Sequence, residues 1–151
     1  MIVRSIAHGS FTTERTYPAK PEKVWLAWSD ITQKQKWFGG PAVANAKHTL
    51  DFQVGGKEHS EGSFPDGSRY TFDVVYQDIV EGQRIVYSYD MTINGHRISV
   101  SLATVEIEAR DAGTHLTVTE HGAYLDGLDN SAQRRDGTEQ LMDALGTSLA
   151  A

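Results

Sequence analysis

From His48 the sequence takes on a period of two, with runs of alternating apolar and polar residues separated by turn residues as far as His121. A period of two sends successive side chains to opposite faces of a strand, so this stretch reads as consecutive strands with one buried face. Leu50, Phe52 and Val54 alternate up to Gly55-Gly56, a hairpin signal, and a further strand reaches Phe64 before the turn residues Pro65-Asp66-Gly67. Tyr70, Phe72, Val74 and Tyr76 then share a face, and Glu81-Gly82 turns the chain. Ile85, Tyr87, Tyr89, Met91 and Ile93 form the longest run, which stops at Asn94-Gly95, a tight-turn pair. Ile98, Val100 and Leu102 share one phase while Val105, Ile107 and Ala109 take the other. That change predicts a bulge near Ala103-Thr104, which would bend the sheet. After Asp111-Ala112-Gly113, Leu116 and Val118 point to one face of a last strand and His115, Thr117, Thr119 and His121 to the other.

Helical patterns occur only at the two ends. Residues 10–17 are β-prone and stop at Pro18. Pro21 suits a first helical position, where its missing N–H would be unpaired anyway. Val24, Ala27, Trp28 and Ile31 follow at helical spacing. Asp30 or Thr32 can cap a second short helix that ends at Trp37-Phe38-Gly39-Gly40-Pro41. The closing helix starts after Asn130, with Gln133 three residues on, and its apolar face is Thr138, Leu141, Met142, Leu145 and Leu149. Hairpin-length links make the sheet antiparallel, because parallel links need long crossovers. A bent sheet must cover its concave face, and the closing helix is the element long enough to do so.

The chain has 151 residues, which suits one domain with a core large enough to be hollowed. Its net charge is −6 with the two signs interspersed, so no basic face for phosphates is visible and nucleic acid is not an expected partner. The absence of cysteine removes disulfides, thiol nucleophiles and thiolate metal sites. No run approaches the ~20 apolar residues that span a bilayer, and none has signal-peptide form, so the expectation is a cytoplasmic protein without a membrane partner.

Three N-terminal segments, Glu14-Arg15-Thr16-Tyr17-Pro18-Ala19, Glu22-x-Val24-Trp25-x-Ala27-Trp28 and Trp37-Phe38-Gly39-Gly40-Pro41, resemble the START-like (SRPBCC, or birch-allergen-like) superfamily. The likeness is strongest to its branch named for the activator of the heat-shock-protein-90 ATPase. Asp51-Phe52-Gln53-Val54-Gly55-Gly56, Arg84-Ile85-Val86-Tyr87-Ser88-Tyr89, Thr114-His115-Leu116-Thr117-Val118-Thr119-Glu120 and Asp126-Gly127-Leu128-Asp129 continue it in order, so that it runs from about residue 10 to 149. No one motif is specific; the ordered set carries the resemblance. It implies one START-like domain over 1–151, of class α+β and helix-grip fold, in the order strand, two helices, six strands, helix. The curved antiparallel sheet would wrap the C-terminal helix around an internal apolar cavity. Two departures stand out: an extra glycine at Gly39-Gly40, and Gly137-Thr138 where many members carry Gly-Trp.

The aromatic residues Phe52, Phe64, Phe72, Tyr76, Tyr87 and Tyr89 read either as core or as the wall of a pocket. Within that cavity, a small hydrophobic or amphipathic ligand is expected to meet Trp37, Phe52, Phe72, Tyr87, Tyr89, Met91, Glu120, Gly137, Leu141 and Leu145. Glu120 shares the inward phase of Leu116 and Val118. It is either a solvated residue at a strand end or a buried carboxyl with a raised pKa or a cationic partner such as Arg15. Gly137, costly inside a helix, marks either a close approach of ligand or strand, or a tolerated kink. Arg134-Arg135 reads as a solvated helix face. Among the six histidines, His115 and His121 share a strand face but lie about 20 Å apart, too far for one ion. Neither a metal nor another cofactor is expected.

Binding rather than catalysis is therefore the leading reading. A cyclase- or dehydratase-type enzyme using a cavity carboxylate is one alternative. Regulation of the chaperone ATPase is another, and a chaperone partner is not expected because nothing beyond one domain is visible to clamp a large ATPase. An exposed sheet edge or helix would permit a homodimer.

Overall fold

The computed structural model describes residues 3–39 and 43–151. Its elements are β1 (Ile6–Tyr17), α1 (Pro21–Ser29), α2 (Ile31–Lys34), β2 (Ala44–Leu50), β3 (Lys57–Ser63), β4 (Arg69–Val80), β5 (Arg84–Ile93), β6 (His96–Arg110), β7 (Gly113–Leu125) and α3 (Ser131–Ala150). The seven strands form one antiparallel sheet in the order β1-β7-β6-β5-β4-β3-β2. Six of them are a simple meander, and β1 joins the far edge by pairing with β7 from Ile6↔Leu125 to Tyr17↔Thr114. Together with the covering helix this is the expected curved helix-grip architecture. No helix among the described residues is long and apolar enough to cross a membrane.

Local chemistry explains where the elements begin and end. Pro21 opens α1, and Val24, Trp25, Ala27 and Trp28 are its buried residues. The Asp30 carboxylate accepts from the Gln33 N–H at 3.1 Å and starts α2. The Asn130 side chain does the same for α3, accepting from the Gln133 N–H at 2.9 Å. Asn130→Ala is expected to lower stability by about 1 kcal/mol, because it leaves one helix N–H unpaired; thermal denaturation will read this as a lower midpoint. Asn94 and Gly95 both take positive φ, 50° and 81°, as a two-residue hairpin turn demands. The second helix, expected to end at Trp37-Phe38-Gly39-Gly40-Pro41, stops earlier, at Lys34, and continues as a turn through Trp37; Gly40 and Pro41 lie outside the described residues.

Two expectations are corrected. Phe52 and Val54 are not in a strand: β2 runs earlier, over Ala44–Leu50, and residues 51–56 form a tight connection. Its geometry excludes a side chain at Gly56, where a Cβ would stand 2.2 Å from the Asp51 carbonyl oxygen. The bulge in β6 is not at Ala103-Thr104 either. Met91 pairs with Ser99 and Thr92 with Arg97, so Ile98 is the extra residue. From there on Ser99, Ser101, Ala103, Val105 and Ile107 face inward, while Val100 and Leu102 face outward at 44% and 43% exposure. Hydropathy misleads here because the inner positions facing α3 are small.

The core forms where α1 and α3 pack on the concave face. Val24, Trp28, Tyr76, Ile85, Val105, Leu116, Val118, Met142 and Leu145 are all buried in it. Tyr17 ties β1 to the helix by donating its hydroxyl to the Met142 carbonyl at 2.7 Å.

Candidate functional site

Toward the N-terminal half of α3 the core does not close, and a cavity of about 470 Å³ remains between helix and sheet. One wall is a run of rings on neighbouring elements. Phe38, which follows α2, meets Phe72 of β4 at a tilt, 5.0 Å between ring centres; Phe72 meets Tyr89 of β5 at 4.5 Å; Tyr89 meets Tyr87 at 5.9 Å. Trp28 and Trp37 close the same side edge to face at 4.8 Å, with the Trp37 indole N–H bonded to the Ala27 carbonyl at 2.9 Å. Met91, Val118, Leu141 and Met142 add to the apolar lining, and Gly137 borders it from α3.

The polar group in this wall is built around Glu120. It lies mid-strand in β7, 4% exposed, so it is neither solvated nor at a strand end. Tyr89 donates its hydroxyl to Oε1 at 2.5 Å, and Thr138 donates to Oε2 at 3.1 Å. Burial raises its pKa; the two hydroxyl donors and the nearby Arg134 charge only partly offset that. Burial, followed by the field of Glu120, pushes the Tyr87 and Tyr89 phenols well up, so both stay protonated donors.

Arg15 is not the partner of Glu120: it pairs on the outside of the molecule with Glu139 at 2.8 Å and Asp143 at 3.2 Å. Arg134 is the nearby cation, and its side chain is only 12% exposed rather than solvated. It pairs with Asp129, bonds the Met91 sulfur at 2.9 Å and Ser99 Oγ at 3.2 Å, and sits 5.9 Å from the Tyr89 ring centre. The small inner residue Ser99 of β6 gives it room. Its helical register, four residues before Thr138 and eight before Met142, was the available signal.

Of the sequence-predicted site residues, Trp37, Phe72, Tyr87, Tyr89, Met91, Glu120, Gly137 and Leu141 border this one cavity. Phe52 and Leu145 do not. Phe52 packs into the core between Trp25 at 5.6 Å and Tyr76 at 5.0 Å, and Leu145 is fully buried beneath α3. Gly137 is not a close approach to a strand, since a Cβ there would meet nothing within 4 Å; it faces open space. Sequence reasoning missed Trp28, Phe38, Arg134 and Thr138 as wall residues.

It also missed a second cluster just behind the wall. Lys34 and Glu58, 2% and 1% exposed, pair at 2.7 Å. Tyr76 donates to Glu58 Oε1 at 2.5 Å and His48 Nε2 to Oε2 at 2.5 Å. Burial opposes ionisation of Glu58, but the Lys34 ammonium and the three hydrogen bonds prevail and hold its pKa down at about 2. Lys34 also lies 5.6 Å from the Trp28 ring centre and 5.1 Å from that of Phe38, so the pair supports the rings that line the cavity.

The family model described as "Activator of Hsp90 ATPase homolog 1-like protein" matches residues 18–151. The chain belongs to that family. Similar solved structures include the Mll3558 protein from Rhizobium loti, at 42% identity and TM-score 0.88, with 96% of this chain and 99% of that one covered. An uncharacterized protein from Rhizobium leguminosarum is 36% identical with TM-score 0.93, covering 98% of both chains. CV1439 from Chromobacterium violaceum, at 21% identity, TM-score 0.80 and coverage of 94% and 97%, shares the fold. No curated protein matches the chain. At this end of the cavity Thr138 supplies a hydroxyl to Glu120, and a Cβ at Gly137 would meet nothing within 4 Å.

Proposed function

We propose that this protein binds a small amphipathic molecule in the cavity between the sheet and α3, its apolar body against the aromatic wall and its polar end toward Glu120. The observation that carries this reading is a cavity of about 470 Å³ with a mainly apolar, aromatic lining and one buried polar centre. Ligand sites have that composition: mostly apolar and aromatic surface, with few polar groups to orient the guest. Empty apolar volume costs stability, so a fold that keeps it forgoes packing it could otherwise have.

Native mass spectrometry of freshly purified protein, with thermal shifts against lipophilic alcohols such as 2-naphthylethanol, tests the reading. A bound mass or a raised midpoint is expected; a bare spectrum together with no shift from any probe overturns it. Gly137 offers the matching variants. Gly137→Ala is expected to stabilise α3 by up to about 1 kcal/mol, because the methyl enters open space. Gly137→Leu is expected to keep the fold and weaken the probe's thermal shift, since Gly137 is exposed at the cavity's edge and a larger side chain there would narrow the way in.

One observation favours a second reading. A carboxyl whose pKa is raised by burial and which borders a cavity suits general acid–base chemistry. Unchanged turnover by Glu120→Gln on a substrate found among the cavity's ligands would remove it.

A further inference from the structure

Resting on the cavity reading above, we propose that the ligand's polar end is a protonated amine, held by Glu120 within the aromatic wall. Among the described lining residues the carboxylate is Glu120 and the cation is Arg134. Arg134 is engaged through its two terminal nitrogens by Asp129, the Met91 sulfur and Ser99, and its buried Nε–H has no partner among the described residues. Glu120 has no cation within ion-pairing distance among the described residues; its two partners, Tyr89 and Thr138, are neutral hydroxyls. The polar end therefore holds two carboxyls, Glu120 and Asp129, against one guanidinium. A carboxylate offers about four acceptor sites, of which two are used, so Glu120 keeps capacity for a donor arriving from the cavity.

The surroundings suit a cation in particular. From β5 Glu120 faces the Tyr89 and Tyr87 phenols, from α3 Thr138 and Arg134, from the preceding loop Asp129, and from its own strand Tyr124. Its backbone neighbours are Ala103 on β6 and Phe11 on β1, which bring no charge. The rings of Phe72 and Tyr87 border the same space, and ring faces attract ammonium groups within about 6 Å of their centres. A carboxylate ligand would bring a third carboxyl to a polar end that already holds Glu120 and Asp129 against one guanidinium, and a neutral alcohol would bring Glu120 no counter-charge. Burial favours the protonated form of Glu120 and an ammonium beside it would favour the carboxylate, so amine binding and proton release are coupled.

Isothermal titration at pH 7.5 with 2-naphthylethylamine, 2-naphthylethanol and 3-(2-naphthyl)propionate, which share a ring system and differ mainly in the head group, decides the question. The amine is expected to bind about tenfold or more tighter than the alcohol, with the carboxylate weakest. Its binding should release protons, seen as a heat that varies with the buffer's ionisation enthalpy. In Glu120→Gln the amine should lose its advantage while the alcohol still binds. If that variant fails to fold, a wild-type series from pH 8 to pH 5 serves: the amine's advantage should shrink as Glu120 takes up its proton, and a constant amine-to-alcohol ratio overturns the proposal. An alcohol or carboxylate that binds as tightly as the amine also overturns it and leaves the cavity reading standing. If none of the three binds, the proposal falls, and the cavity reading falls with it when the native mass spectrum is also bare.

Discussion

Glu58→Ala is expected to lose about 3–5 kcal/mol of stability, read as a large drop in the urea midpoint. The reason is the state in which it leaves its partners. Lys34 is 2% exposed and has Glu58 as its counter-charge at 2.7 Å; without it, an ammonium stays buried among Trp28 and Phe38. Tyr76 and His48 lose their acceptor at the same time. Replacing both charges together, as in Lys34→Met with Glu58→Leu, is expected to cost much less than Glu58→Ala alone, since an apolar pair of similar volume removes the desolvation penalty along with the attraction. The wild type carries a pH signature of the same cluster. The folded pKa of Glu58, about 2, lies below its ordinary value of 4.5, so its contribution is fully present above pH 4.5 and is lost as pH falls toward 2. That contribution amounts to about 3 kcal/mol, and a Glu58→Gln variant should show a flatter stability profile over that window.

Leu145→Ala should cost about 3–5 kcal/mol, whereas Leu141→Ala, one turn earlier, should cost about 1 kcal/mol or less. Leu145 is fully buried in the closed part of the core, so truncation creates a void. Leu141 is half-buried and already borders the cavity, so truncation enlarges a space that exists. Urea denaturation measures both, and probe binding separates them further: Leu141→Ala should alter affinity for a naphthyl guest, and Leu145→Ala should leave it nearly unchanged. Equal costs at the two sites would mean that the cavity collapses around a shortened side chain.

The contrast between these two leucines marks how far the sequence is legible. Amphipathic spacing locates the inner face of α3 well, because burial and period go together. It does not say where along that face the core is closed and where it is hollow, since Leu141 and Leu145 look alike in the pattern. The strands behave similarly. Tyr70, Phe72, Val74 and Tyr76 alternate in β4 as expected, and all point inward. In β6 the inner residues Ser99 and Ser101 are small and polar while the outer Val100 and Leu102 are apolar, so hydropathy inverts the faces. In β3 the inward residues are Glu58, Ser60 and Gly62, a face with no apolar residue at all, and its buried charge leaves no trace in periodicity. Lys34 is hidden for the same reason. Family resemblance supplies the shell; the polar centres within it depend on pairings between residues as distant in sequence as Tyr89 and Glu120.

The pairing of β1 with β7 has a consequence for how the chain acquires its shape. Ile6 finds its partner at Leu125 and Tyr17 at Thr114, so the first strand made has no neighbour until nearly all the others exist. The meander from β2 to β7 can zip locally, hairpin by hairpin, but β1 must close a loop of about a hundred residues, and such non-local pairing slows folding. The same strand anchors α3 through the Tyr17 hydroxyl and the Arg15 pairs with Glu139 and Asp143. Helix, first strand and last strand therefore lock late and together, and the hollow beneath α3 comes into being only at that final step.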